Sequence, residues 1–213
     1  MLVDRVLDFG SSSAEADIKR ADELAAKAVA ASPRSAIAHH AKGQVLRAQR
    51  RCAEAIPEYE TALALNRNSV LSLATIGRCK TYIGPIEDAI PAHEQAVRLS
   101  PRDPLLYNWY FRIGQAHLLQ SHVDEAIRWL ERARGANPGF PGTHGHLASA
   151  YALKGETARA AAELAEARRL VDESSWSSIA GMRRSTRYET PAIRALAEAT
   201  LYDGLRKAGM PEE

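Results

Sequence analysis

Aromatic residues make up only 6% of the 213-residue chain, and just two of its residues are cysteines. Cys52 and Cys79 lie 27 apart, outside any CxxC spacing, which argues against a metal or redox pair and fits a reducing cytoplasm. There is no run of about 18 apolar residues, as a membrane span would need. Residues 1–10 mix Asp4, Arg5 and Asp8 with apolar positions and do not read as a signal peptide. A net charge of +2 and a pI near 8.6 give no concentrated field for nucleic acid or an anionic membrane. No glycine-rich phosphate loop follows a strand pattern, and no alternating strands appear at all. His39 and His40 are adjacent and His144 and His146 are two apart, so neither pair shares a helix face and no metal site is expected. Without a nucleophile set or a cofactor motif, the chain reads as a non-enzyme that needs no cofactor.

What the chain does have is a repeat. Ala21, Ala55, Ala89, Ala126 and Ala160 form one series of small residues. Ala28, Ala62, Ala96, Ala133 and Ala167 form a second, and Gly43, Gly77, Gly114 and Ala148 a third. Every step is 34 residues except one of 37, at the same place in each series. Such a step holds two antiparallel helices, A and B, whose small residues allow close approach while larger ones fill the gaps. Pro33, Pro101 and Pro138 mark exits from B helices, and Arg67 and Asp172 hold the equivalent slots without a proline stop. At the long step, Asp103 and Pro104 suggest a cap and first turn that lengthen helix A at its start.

The period of 34 and the order of small and large residues in "AEAIPEYETALALN", "EDAIPAHEQAVRLSP" and "DEAIRWLERARGANP" resemble the tetratricopeptide repeat (TPR). The resemblance implies an all-α solenoid, a right-handed superhelix of helix pairs. A partial repeat falls at 1–35, with residues 17–31 as its B helix, and full repeats at 36–69, 70–106, 107–140 and 141–172. Residues 173–213 are a capping segment: a short helix and loop, then a helix opened by Thr190 and Pro191 and stopped at Gly209. Its Ile193, Leu196, Leu201 and Leu205 are expected to cover the open end of the stack. Arg183, Arg184 and Arg187 read as a solvated basic cluster. "DRVLDF", "NWYFRIGQAHLLQ" and "LRKAGMPEE" further resemble the C-terminal TPR region of bacterial class III adenylate/guanylate cyclases, which implies a cytoplasmic regulatory module without the catalytic domain.

In that family the A helices line a concave groove for a partner peptide or helix. The resemblance places His40, Gln44 and Arg47 there, followed by Arg78 and Tyr82, then Asn108, Phe111, Arg112 and Gln115. The implied partner is a protein or peptide, with acidic groups suited to the arginines, and a second copy of the chain is the alternative. The dicarboxylate clamp of some TPR domains would need matches at His40, Gln44, Thr75, Asn108 and Arg112, and only Arg112 agrees. In the aromatic cluster of Trp109, Tyr110 and Phe111, at least part should be core, with Phe111 turned to the groove.

Overall fold

The computed structural model describes residues 14–171, 176–186 and 188–213; the expectations resting on residues 1–10, Asp172 and Arg187 lie outside them. No strand occurs among the described residues. The helices are α1 (Ala14–Ala31), α2 (Ala36–Ala48), α3 (Cys52–Leu65), α4 (Val70–Ile83), α5 (Ala89–Leu99), α6 (Leu106–Leu119), α7 (Val123–Ala136), α8 (Pro141–Leu153) and α9 (Thr157–Arg169). Then come α10 (Ile179–Ser185) and α11 (Pro191–Ala197), which runs through a π-helical turn (Glu198–Tyr202) into α12 (Asp203–Lys207). None of them is long and apolar enough to cross a membrane.

The even-numbered helices α2, α4, α6 and α8 are the A helices, and α3, α5, α7 and α9 the B helices. Each A helix packs on the B helix that follows it and on the one before it. Successive A helices also touch, α4 on α6 and α6 on α8, forming the inner layer of a TPR solenoid. The glycine series explains the A–B contact. A Cβ on Gly114 would lie 2.6 Å from Leu130, and one on Gly77 or Gly43 would strike His93 or Tyr59, each sixteen residues on. The alanine series is equally tight: Ala55, Ala62, Ala89, Ala96, Ala126, Ala133, Ala160 and Ala167 are all wholly buried. Ala28, on α1, is exposed.

The long step does not lengthen helix A as its capping pattern suggested. The connection before α6 takes up six residues, 100–105, where the other B-to-A connections have four. Asp103 does cap, but locally: its Oδ1 accepts the Leu105 N–H at 2.8 Å and closes a turn ahead of the helix. A second correction concerns the cysteines. Cys52 opens α3 and Cys79 sits late in α4, and the packing of these neighbouring helices joins them in a disulfide with Cα atoms 5.2 Å apart. Sequence spacing hid the pair, and with it goes the cysteine argument for a reducing compartment. His39 and His144 share a repeat position and do the same job. Each bonds a B-helix carboxylate, Glu58 or Glu163, at 2.6 Å, and the carbonyl of the proline six residues back.

His93 stands where the other repeats place Tyr59, Leu130 and Leu164. It is 1% exposed, and neither ring nitrogen has a partner. Burial, helped by Arg112 and Arg78, pushes its pKa down to about 3. Burial likewise pushes His146 down to about 4. Both are therefore neutral in the fold, whereas the unfolded chain protonates them near about 6.5. Their contribution is complete above that pH and is lost as pH falls below it, because only the unfolded state takes up the protons. The loss is about 1.4 kcal/mol per pH unit for each histidine. His93→Leu, which copies Leu130 and Leu164, should remove one such share. Urea midpoints at about pH 7 and about pH 5 measure it, and an unchanged pH slope would contradict a neutral buried His93.

The glycine contacts make an opposed pair of expectations. Gly114→Val, forced against Leu130 and the Ala126 carbonyl, should cost about 1–3 kcal/mol. A Cβ on Gly135, in α7, would meet nothing within 4 Å, so Gly135→Ala should gain up to about 1 kcal/mol. Thermal denaturation of the two variants checks both signs.

Candidate functional site

The A helices present their inner surface as two unlike halves. Along α2, α4 and the start of α6 it is open among the described residues. Here Gln44, Arg47, Arg78 and Asn108 line a cavity of about 500 Å³, with Leu71, Leu105, Trp109 and Phe140 among its apolar walls and His93 beneath. The polar side chains are already held in place. Arg47 Nε donates to Gln44 Oε1 at 3.0 Å, and the Tyr59 hydroxyl donates to the same oxygen at 3.1 Å. The Arg78 guanidinium donates to Asn108 Oδ1 at 3.3 Å, and His40 Nδ1 meets Ser72 Oγ at 2.9 Å. Among the described residues, no carboxylate lines the cavity. Arg47 is 5% exposed, so its charge is largely stripped of water and rests on an amide oxygen.

The other half is covered by the chain itself. Residues 176–186 and 188–210 form an arm. Within it α11 packs on α4 and α6, the π-helical turn on α6 and α8, and α12 on α8, a diagonal across the inner layer. The capping helix thus packs on α8, the A helix of the last pair, and reaches back along the A helices to α4; contrary to expectation, Leu196 is exposed and takes no part in this cover. Thr190 caps it as expected, its Oγ1 accepting the Ile193 N–H, and Gly209 ends it with φ +95°.

The arm is held by polar and apolar contacts together. The Glu189 N–H donates to the Tyr82 carbonyl at 2.9 Å, and the Cys52 N–H to Glu189 Oε2 at 3.1 Å. Gln115 Nε2 donates to the Tyr188 hydroxyl at 3.2 Å, and the Tyr82 and Tyr188 rings meet edge to face at 6.3 Å. Gly204 lets α12 approach the backbone of α8: a Cβ there would fall 2.5 Å from the Ser149 carbonyl oxygen. Trp176 occupies the space that a side chain on Gly145 would need.

Ile179, Met182, Ile193, Leu201, Leu205 and Met210 are each at most 5% exposed. At about 1.5–3 kcal/mol for each such side chain, their burial contributes roughly 10 kcal/mol or more. This gross gain is offset by the cost of ordering the arm's backbone and side chains. The arm is part of the folded core.

The residues read from the sequence therefore divide. His40, Gln44, Arg47, Arg78 and Asn108 come together around the open half. Tyr82 (7% exposed), Phe111 (3%) and Gln115 (5%) are buried in the covered half. Phe111 does not face a free groove. It packs edge to face on Phe140 at 5.1 Å and on His146 at 4.8 Å, because α8 and the residue before it close over it. Arg112 lies between the halves, its guanidinium 5.0 Å from the Phe111 ring and bonded to Gln115 Oε1 at 2.9 Å. The cavity's apolar walls went unread. Ile37 and Leu71, one repeat apart and both exposed, were the signal that could have found them. Of the basic cluster, Arg183 is engaged in ion pairs with Glu198 and Glu212.

A family model for the tetratricopeptide repeat matches residues 14–70 and 82–141, together more than half of the chain. Among the curated proteins, none matches. Solved structures of similar fold include PilW, a widely conserved type IV pilus biogenesis factor, at 17% identity over 90% of each chain with a TM-score of 0.68. Another is pilF of Pseudomonas aeruginosa, at 18% identity over 97% of this chain and 95% of that one, TM-score 0.66. A chain of the APC/C hetero-tetramer Cut9–Hcn1 is also similar, at 17% identity over 90% of this chain and 36% of that one, TM-score 0.66. At these identities the likeness speaks for the fold alone, and it agrees with the register of small residues and with the stacking of A upon B. On the family match, the chain belongs to the tetratricopeptide repeat family.

Proposed function

We propose that the chain is a protein-recognition scaffold, without catalysis of its own, that receives a segment of a partner protein on the open half of its A-helix face. The observation that carries this reading is the cavity over α2, α4 and α6, where two arginines face apolar walls with no carboxylate among the described lining residues. Arginines spaced along the groove suit the carboxylates of an acidic segment, which is the partner chemistry this reading favours. The fold relative seen in the Cut9–Hcn1 hetero-tetramer supports a role in assembly. The sequence resemblance to cyclase-linked TPR regions supports a regulatory module of a signalling protein in the cytoplasm.

A photo-crosslinking amino acid at Thr75, beside the cavity, should capture partner protein. The same probe at Glu60 or Gln95, exposed positions on B helices, should not. Arg78→Glu should abolish capture at Thr75. Capture that is equal at all three positions, or indifferent to Arg78→Glu, would count against the groove. A cyclic-nucleotide assay on the chain alone should give no turnover above blank, and any turnover would reverse the non-enzymatic reading.

A further inference from the structure

We infer that the corner between the α2–α3 turn and the arm binds a phosphate dianion, free or as a small phosphomonoester, between Arg50 and Arg194. The site is separate from the cavity over α2, α4 and α6. A second cavity, a charge imbalance and a strained turn together carry the inference.

Arg50, Arg183 and Arg194 line this second cavity, of about 190 Å³, with Tyr188 and Tyr202 among its walls. Glu198 is the one carboxylate among its described lining residues. The space suits a tetrahedral oxyanion with a few further atoms and is too small for an extended peptide.

The charges around it do not balance. Arg183 donates to Glu198 and Glu212, and Arg206 to the same two carboxylates, so these four groups neutralise one another. The Glu189 carboxylate accepts the Cys52 N–H and does not line the cavity. Arg194 donates to neutral oxygens, the carbonyls of Tyr188 and Glu189, at 3.3 and 2.9 Å. The Arg50 side chain has no hydrogen bond or ion pair among the described residues. Arg50 and Arg194 are thus left without a counter-charge, which a dianion supplies in full and a single carboxylate does not.

The turn that carries Arg50 is strained. Each A helix ends on a left-handed residue at one repeat position: Arg50 at φ +59°, Gly84 at +82°, Ser121 at +62° and Gly155 at +85°. The Arg51 N–H reaches back to the Leu46 carbonyl at 2.9 Å, as those of His122 and Glu156 do to His117 and Tyr151. Glycine fits this helix ending without steric penalty, and arginine does not. A strained residue whose side chain bonds nothing in the fold, yet lines a cavity with two further guanidinium groups, points to a bond made with a ligand.

The test uses the full chain at about pH 8, where phosphate is a dianion, with ionic strength held constant by sodium chloride. By titration calorimetry, inorganic phosphate should occupy a single site. At about 10 mM it should raise the melting temperature by about 2 °C or more, and acetate should do neither. Arg50→Gly relieves the turn, so without phosphate its melting temperature should rise by about 2–4 °C, while phosphate affinity falls about tenfold or more. Ser121→Gly should also melt higher but keep the affinity, which separates backbone strain from binding. Arg194→Gln should lose about tenfold in affinity. Methyl phosphate distinguishes the sources: tighter binding than inorganic phosphate assigns the ester, weaker binding the free ion.

No binding of phosphate or methyl phosphate, equal binding of acetate, or an affinity indifferent to Arg50→Gly would overturn the inference. So would an Arg50→Gly variant that melts no higher than the parent without phosphate, since no strain would then mark the turn. Neither Arg50 nor Arg194 lines the cavity over α2, α4 and α6, so failure here leaves the groove reading standing.

Discussion

Curvature in this molecule depends on the absence of side-chain bulk at one spot per repeat. Where Gly43, Gly77 and Gly114 face Tyr59, His93 and Leu130, the A and B helices approach until the large side chain fills the space a Cβ would have taken. The A helices then meet one another in an inner layer. An inner surface follows from that layer, part of it covered by the arm. Enlarging any of these small residues would push the pair apart and disturb its stacking on the neighbouring repeats.

The repeat was legible because each of these contacts is local in sequence and recurs in three aligned series. The cap at Thr190 and the stop at Gly209 were legible from the chemistry of helix ends, and Gln44, Arg47, Arg78 and Asn108, placed by the repeat register, line one cavity. What escaped depends on contacts outside the period. The disulfide joins Cys52 to Cys79 because α3 and α4 pack side by side, and no motif spacing encodes that. The longer step became a loop instead of extra helix, since Asp103 satisfied the Leu105 N–H and closed a turn first. Phe111 occupies a groove position of its repeat yet lies in the core, because Phe140 and His146 of the next helix pair pack over its ring.

The arm changes what the inner surface is for. Tyr188 and Glu189 satisfy hydrogen-bonding groups of Gln115, Tyr82 and Cys52 that would otherwise have to find water or a guest. Burial raises the Tyr188 pKa, with its neighbours Tyr202 and Tyr82 adding to the effect, so its hydroxyl stays protonated and keeps that network intact. Among the described residues the covered half is closed by these contacts, although Arg112 Nε and Thr143 Oγ1 stay buried without a partner.

The open half differs in both respects. Its arginines rest on amide oxygens where carboxylates would bind them more strongly, and its leucines face water. The fold commits one part of its inner surface to stability, where the arm packs on α4, α6 and α8. On the other part Gln44 and Asn108 hold the guanidinium groups of Arg47 and Arg78 in place. Side chains fixed beforehand lose little freedom on binding, which is what the proposed groove would offer a partner.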